Sequence, residues 1–444
     1  MKTSEDTIYA VSSGRLPAAI AVVRMSGPRA RLGLETLMRK IPEPRRAAHA
    51  IVRDPKSGEV IDDALALWFP GPASETGEDM AEIHLHGGRA IVAATFQILG
   101  NIDGFRPAQA GEFTRRALLN GKIDVASVEG LGDLIAAETE AQRRQALAQF
   151  RGALSGRVEA WREKLIGALA SLEASIDFVD EDDVPEDLLA PAMRVARELV
   201  DEIEVVLADA DRGEKVREGF VVALSGAPNV GKSTLLNRLA RRDVAIVTEI
   251  PGTTRDAIEV SLDLRGVPVV LVDTAGVRET SDPVEAEGVR RALARTGQAD
   301  LVLWLVEASD TNPLPPPAAL KLVTVRTKSD LIDSDTQRRL SEAGDLVLSA
   351  KTDSGVDQLL DVLTTTAQSL AGSEPALVTH ARQRHALSEA VARLKAAGTH
   401  AAPGREELAA EELRLAARSL GRVTGRVDVE DVLDHVFRNF CIGK

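Results

Sequence analysis

The sequence predicts a chain of mixed class, part α/β and part all-α, in which a doubly wound α/β domain is inserted into a helical one. Two observations carry that expectation. Between residue 219 and about 370, apolar runs alternate with polar helical segments, the pattern of a parallel sheet with helices on both faces. On either side, from about 120 to 215 and after 380, apolar residues recur instead at three- and four-residue steps. Domain insertion is tolerated where chain ends lie close together, so one interrupted helical domain is the simplest arrangement. At 444 residues the chain is too long for a single ordinary domain.

Taken in order, 18–25 and 64–69 read as short strands and 82–85 as another, running into Gly87 and Gly88. With a helix over 91–99 they make residues 1–118 an α/β domain. Helices are expected over 131–148, 158–176 and 188–210, with Pro185 and Pro191 near the start of the last, in a first helical part spanning 119–216. The acidic run 180–183 reads as a solvated loop in preference to a metal site. The inserted domain, 217–372, holds buried-strand candidates at 220–224, 267–272, 301–306, 322–325 and 346–348, and a proline loop at 313–317. Helices over 381–396, 406–420 and 429–440 form the second helical part, 373–444.

Composition narrows the function. A net charge of −14 argues against a non-specific coat on nucleic acid, which needs clustered Lys and Arg. Aromatics at 3% argue against a binder that stacks bases, and 44% apolar residues argue against global disorder. The single cysteine, Cys441, allows no internal disulfide and no zinc site with several Cys ligands. The N-terminus is polar and acidic, unlike a signal peptide, and the apolar runs fall far short of the roughly 18 residues that span a bilayer. A cytoplasmic protein with no membrane partner is expected.

Residues 226–233, G-A-P-N-V-G-K-S, fit the phosphate-binding loop G-x-x-x-x-G-K-[ST] between a strand and a helix opening at Thr234. Glycines let the backbone wrap phosphate, and N–H groups at the helix start point at it. Lys232 is expected to neutralise the β and γ phosphates and Ser233 to ligate Mg²⁺. Asp273-Thr274-Ala275-Gly276 ends a later strand, with Asp273 placed to hold Mg²⁺ through water. Thr327-Lys328-Ser329-Asp330 resembles the guanine-reading N-K-x-D with Thr at the Asn position, and Ser349-Ala350-Lys351 the loop that meets the guanine carbonyl. A carboxylate paired with two base donors rejects adenine, so GTP is expected over ATP.

Where Ras-like enzymes carry a water-orienting Gln, this chain has Val277. Glu285, twelve residues beyond Asp273, is a candidate for that task; a solvated helix carboxylate is the alternative. Asn229 can ligate a monovalent cation beside the phosphates, or serve as a turn residue. Gly252–Asp256 occupies the place of a switch loop, one of whose threonines binds Mg²⁺. His84 and His86 read as core or hydrogen-bonded histidines, since no third metal ligand is evident.

In these residues and their order the chain resembles the MnmE (TrmE) family of tRNA-modifying GTPases. The G-domain motifs also occur in ribosome-assembly GTPases such as Era and Der, so a ribosome-assembly switch is the alternative. That class carries a basic RNA-binding extension, and the acidic helical flanks offer none. The flanks carry the resemblance: residues 78–88 resemble the family's GED…HGG, 107–124 resemble PGEFT-RAFLN-x-K-x-D with 108–110 lengthening the run, and 440–444 match the terminal FCIGK. The departure is 15–19, R-L-P-A-A, where a Gly-rich stretch is usual.

The resemblance implies an N-terminal folate-binding and dimerisation domain taking a 5-formyl-tetrahydrofolate-type cofactor, with Arg24, Glu82, Lys122 and Lys444 at the contact positions. It implies K⁺ held by Asn229, Thr248, the Ile250 carbonyl and Thr253, Mg²⁺ held by Ser233 and Thr254, and Glu285 orienting water. The catalytic set is then Glu285, Lys232 and Asn229. Nucleotide- and ion-contacting positions run through Asn229, Val230, Gly231, Lys232, Ser233 and Thr234, then Thr248, Glu249, Ile250, Pro251, Gly252, Thr253 and Thr254. They continue through Asp273, Thr274, Ala275 and Gly276 to Thr327, Lys328, Asp330, Ser349 and Ala350. The resemblance implies a homodimer whose G domains associate on binding GTP and K⁺. It implies a larger complex, a heterotetramer or above, with the FAD-containing partner MnmG. Through that complex tRNA would be bound, and a (carboxymethyl)aminomethyl group added at C5 of the wobble uridine. Cys441 then resembles a functional thiol, against the reading of a small buried hydrophobe.

Overall fold

The computed structural model describes residues 5–177, 189–246, 259–273, 299–313, 315, 321–402, 404–427 and 443. The chain divides into two compact units, Met1–Gly132 with Ser155–Leu188 and Pro403–Lys444, and Asp133–Leu154 with Leu189–Ala402.

The first unit begins with β1 (Thr7–Val11), β2 (Ala18–Ser26), α1 (Ala30–Leu37), β3 (Ala48–Arg53), β4 (Val60–Phe69) and β5 (Met80–Gly87). It continues with α2 (Arg89–Gly100), β6 (Phe105–Pro107) and α3 (Glu112–Leu119). The strands form one sheet in the order β3-β4-β5-β2-β1-β6, antiparallel except for the β1–β6 pair. Alternation dictates its faces. Val23 and Met25 of β2 and Ala81, Ile83 and Leu85 of β5 are buried in one cluster with Leu34 and Leu37 of α1 and Leu99 of α2. Each large apolar side chain so buried stabilises by roughly 1.5–3 kcal/mol, and a one-residue slip would turn Arg24 into that core. The register therefore sends Arg24 and Glu82, which are paired across β2 and β5, to the opposite face. There α3 packs Phe113 on Ile8 and Ala10 of β1, and the Arg24 guanidinium lies over the same ring, 5.8 Å from its centroid. Also in this unit, α6 (Ala153–Asp177) and α13 (Glu406–Thr424) are tied by Arg414–Glu173 at 2.6 Å, and Arg426, just beyond α13, pairs with Glu159 at 3.2 Å.

The second unit holds α5 (Glu140–Phe150), α7 (Leu189–Leu207), α8 (Ala210–Glu218), β7 (Phe220–Gly226), α9 (Lys232–Leu239), β8 (Glu259–Leu264) and β9 (Val267–Asp273). Then come β10 (Leu301–Glu307), β11 (Leu322–Thr327), α10 (Ser334–Glu342), β12 (Leu346–Val347), α11 (Val356–Ala371) and α12 (Ala381–Thr399). The sheet order is β12-β11-β10-β7-β9-β8. The doubly wound fold stands as expected, with one correction. β8, an edge strand, runs antiparallel to β9, so the sheet is not purely parallel.

A second correction concerns the helix expected over 131–148. It is two helices, α4 (Val125–Ala136) and α5. Thr139 caps α5 in a capping box with Gln142, which favours a fresh helix start over continuation. α5 then mounts the inserted domain. The Ala141 N–H donates to Gly266 O on the β8–β9 turn at 2.8 Å. The amides of Gln142 and Gln145 donate to Arg217 O and Gly213 O, where the chain enters the domain, and Gln149 donates to Leu377 O, where it leaves. Among the described residues no helix is long and apolar enough to cross a membrane.

Candidate nucleotide site

Three parallel strands end at one edge and deliver the site: β7 into the phosphate loop, β9 at Asp273 and β11 at Thr327. This is where open α/β sheets bind ligands. The loop's conformation needs its residues. Gly226 has φ 151°, and a Cβ there would lie 2.3 Å from Leu305 O. Asn229 sits at φ 62°, a left-handed position that Asn tolerates, with its side chain exposed at the loop tip.

Lys232 opens α9 and is buried. Its ammonium donates to Gly226 O and Ala227 O, each at 2.8 Å. Burial pushes its pKa below the ordinary lysine value, and the Asp273 carboxylate opposes that shift. The Ser233 hydroxyl donates to Asp273 Oδ2 at 3.0 Å. A hydroxyl and a carboxylate held together are the hard oxygen donors that suit Mg²⁺.

Thr327 sits where the guanine motif usually has Asn. Its hydroxyl is buried and donates to Val230 O of the phosphate loop at 2.6 Å, with Val306 O at 3.3 Å the weaker acceptor. The substitution thus keeps a tie between the guanine-reading strand and the phosphate loop. Lys328 adopts φ 57° and pairs with Glu307 at 2.7 Å. Asp330 is exposed, and one of its oxygens accepts from Ser349 Oγ at 2.6 Å. That bond holds the Asp330 carboxyl below the usual range and leaves the other oxygen for a base edge. Ser349 is buried and Ala350 half-buried beside it. Val230 is buried, Gly231 half-buried with φ 105°, and Thr234 exposed in the first turn of α9.

Thr248, Glu249, Ile250, Pro251, Gly252, Thr253, Thr254, Thr274, Ala275, Gly276, Glu285 and Lys444 lie outside the described residues, as do Val277, Cys441, the run 180–183 and the expected helix 429–440.

On the open face of the first unit's sheet, Arg24 forks onto Glu82 Oε1 through Nε and Nη2, both at 2.9 Å, and reaches Glu75 through Nη1 at 2.9 Å. His84 Nε2 lies 3.3 Å from Glu82 Oε2, and His86 Nδ1 lies 2.8 Å from Asp62, so both histidines are hydrogen-bonded. Among the described residues no group of His, Cys, Asp and Glu is built to hold a metal. Lys122 Nζ donates to Pro72 O at 3.0 Å and is not hydrogen-bonded to Glu82. The Gly443 carbonyl accepts from Ser12 Oγ at 2.8 Å, and a Cβ on Gly443 would lie 2.1 Å from Val11 O, so Gly443 lies against the end of β1. Glu75 is a partner that the sequence did not single out. Its only signal was its place in the loop before Glu78.

A family model described as the MnmE helical domain matches residues 125–441, and one described as the GTP-binding protein TrmE N-terminus matches residues 7–122. The chain belongs to the MnmE (TrmE) family. Its family relatives are similar from end to end. A tRNA modification GTPase MnmE of Azorhizobium caulinodans is 56% identical over 100% of both chains, and one of a Bradyrhizobium species is 52% identical over the same span. The MnmE of Methylorubrum populi is 54% identical over 99% of this chain and 98% of its own. Among solved structures, the FeoB G domain of Methanococcus jannaschii is 24% identical, covers 33% of this chain and 97% of its own, and has a TM-score of 0.22, too low to carry an argument.

Proposed function

We propose that this chain is a GTP-hydrolysing enzyme of tRNA modification whose G domain cycles with GTP, Mg²⁺ and K⁺. The observation that carries the reading is the joined site: a phosphate loop tied to the guanine-reading strand through Thr327 and Val230, in a chain similar to MnmE along its whole length. Asp330 accepts from the two donors on the guanine edge while Ser349 fixes its orientation. Lys232 neutralises the β and γ phosphates, and Ser233, with Thr254 and the outer carboxylate of Asp273, holds Mg²⁺. Asn229, at the tip of the loop, supplies an amide oxygen for K⁺, with Thr248, Ile250 and Thr253 completing the set. That ion would bring the positive charge that an arginine finger brings elsewhere. Glu285 orients the attacking water, which Val277 cannot do.

In the first unit, Glu82 offers a carboxylate to the amino and N–H groups of a pterin edge, the same chemistry Asp330 offers guanine, while Arg24, Lys122 and Lys444 supply cations for the acidic end of a folate. A 5-formyl-tetrahydrofolate-type ligand fits that donor set. The open sheet face exposes Ile20, Ile51 and Leu65, a surface suited to a homodimer. With a flavoprotein partner of the MnmG type the enzyme would modify C5 of the wobble uridine in cytoplasmic tRNA. The purified chain should hydrolyse GTP with Mg²⁺, far faster in K⁺ than in Na⁺. Hydrolysis of ATP at the same rate would overturn the guanine reading, and equal rates in the two salts would overturn the role of the cation.

A further inference from the structure

Behind the Arg24–Glu82 pair lies a cluster of charge that the proposed chemistry does not use. Arg116 of α3 is 5% exposed. Its guanidinium donates to Glu78 Oε2 at 3.0 Å, to Asp6 Oδ1 at 2.8 Å, to Asp6 O at 3.0 Å and to Glu112 Oε1 at 3.1 Å. Arg106 joins Asp6 and Glu112 from the other side. Glu78 also accepts from Ser26 Oγ at 2.7 Å, and Ser26 shares a hydrogen bond with the buried Thr76 hydroxyl.

A buried guanidinium is costly to desolvate and needs every partner it has. What it secures here is a loop. Residues 70–79 have no strand or helix of their own. They are held by Glu78 on Arg116, by Thr76 O accepting from Asn120 Nδ2 at 2.8 Å, and by Gly71 N–H on Asp79 Oδ1 at 2.9 Å. That same loop presents Glu75 to Arg24 and Pro72 O to Lys122. Two of the cations assigned to the folate-type ligand are therefore set by a loop whose anchor is the buried Arg116–Glu78 pair.

We propose that Arg116 is a positioning residue for the ligand site of the first unit, acting through Glu78 on loop 70–79 and so on Arg24 and Lys122. The inference rests on the folate-type reading of that site. Among the described residues Arg116 is not hydrogen-bonded to the ligand positions Arg24, Glu82 and Lys122, so its effect passes through the loop. Lysine at 116 keeps the charge but cannot reproduce the fork that reaches Glu78, Asp6 and Glu112 together. Glutamine at 78 keeps the shape and removes the charge.

The test uses the full chain and 5-formyl-tetrahydrofolate as the probe, with three readouts for Arg116→Lys and Glu78→Gln. Titration calorimetry reads probe affinity, hydrogen exchange reads protection of the amides in 70–79, and GTP hydrolysis without the probe reports on the other unit. The expected result is an affinity loss of about tenfold or more, the scale of one charge-assisted hydrogen bond, with protection lost in 70–79 and GTP hydrolysis unchanged. Variants that melt earlier yet keep both the parent's affinity and its protection of 70–79 would overturn the positioning role and leave Arg116 a structural ion pair. If the parent does not bind the probe, the folate-type reading itself fails and this inference with it. Loss of exchange protection in 70–79 is measured without the probe and separates the two failures.

Discussion

Replacing Thr327 with valine removes one hydroxyl at nearly constant volume. In this chain that hydroxyl ties β11 to the phosphate loop, 2.6 Å from Val230 O, with both residues buried. Leaving a buried acceptor without its donor costs roughly 1–3 kcal/mol. The bond holds the loop in its phosphate-wrapping form, so the cost should fall on nucleotide affinity. At 1.4 kcal/mol per decade, the dissociation constant for GDP should rise roughly 5- to 140-fold. Titration with a fluorescent GDP analogue measures it, and thermal melting without nucleotide measures any loss borne by the fold instead. Thr327→Asn, which restores a donor on a longer arm, should stay near the parent. If Thr327→Val binds GDP as the parent does and melts with it, the tie contributes nothing and the account of this substitution is wrong.

Other outcomes follow from the same geometry. Asn229→Ala should abolish the preference for K⁺ over Na⁺ in GTP hydrolysis; the side chain is exposed at the loop tip, so the cost to the fold is confined to the strain of Ala at φ 62°, which thermal melting reads; a variant that keeps the preference would remove Asn229 from the cation site. Glu285→Ala should lower kcat by orders of magnitude with GTP affinity nearly unchanged, and a matching loss of affinity would make Glu285 structural. Acid should loosen the first unit through Glu112. Burial works to raise its carboxyl, but Arg106, the Gln109 N–H and Arg116 outweigh burial and hold the pKa below the ordinary 4.5. A depressed folded-state pKa gives stability that is full above about pH 4.5 and lost as pH falls through the folded value. Melting temperature should drop below that pH, and Glu112→Gln should blunt the drop; an unchanged acid profile would remove Glu112 as its source.

The parts of this protein legible in sequence are those whose chemistry is contiguous. The phosphate loop, Asp273 and Asp330 each sit beside a strand end, and motif spacing carried them. The missed parts are of two kinds. β8 reads E-V-S-L-D-L, an edge strand with a polar side, and β1, β3 and β6 are short, so apolar runs did not reveal them. The break between α4 and α5 was visible as Thr139 and Gln142 three residues apart, but an apolar pattern running through it hid the signal. Partnerships formed by folding were out of reach. Nothing local to Thr327 says that its hydroxyl meets a carbonyl 97 residues away, or that Arg116 pairs with a carboxylate 38 residues earlier. The two histidines on β5 read as core or hydrogen-bonded because no third metal ligand is evident in the sequence, and their partners are Glu82 and Asp62.

The central claim is that GTP hydrolysis by this chain serves modification of tRNA. Its most direct test is nucleoside mass spectrometry of bulk tRNA from a strain lacking the gene, complemented by the parent chain or by Glu285→Ala. The expected result is loss of the C5 modification on wobble uridine in the deletion strain, restored by the parent and not by the variant. Fully modified tRNA in the deletion strain, accompanied by defective ribosome assembly, would contradict the account and favour the ribosome-assembly class.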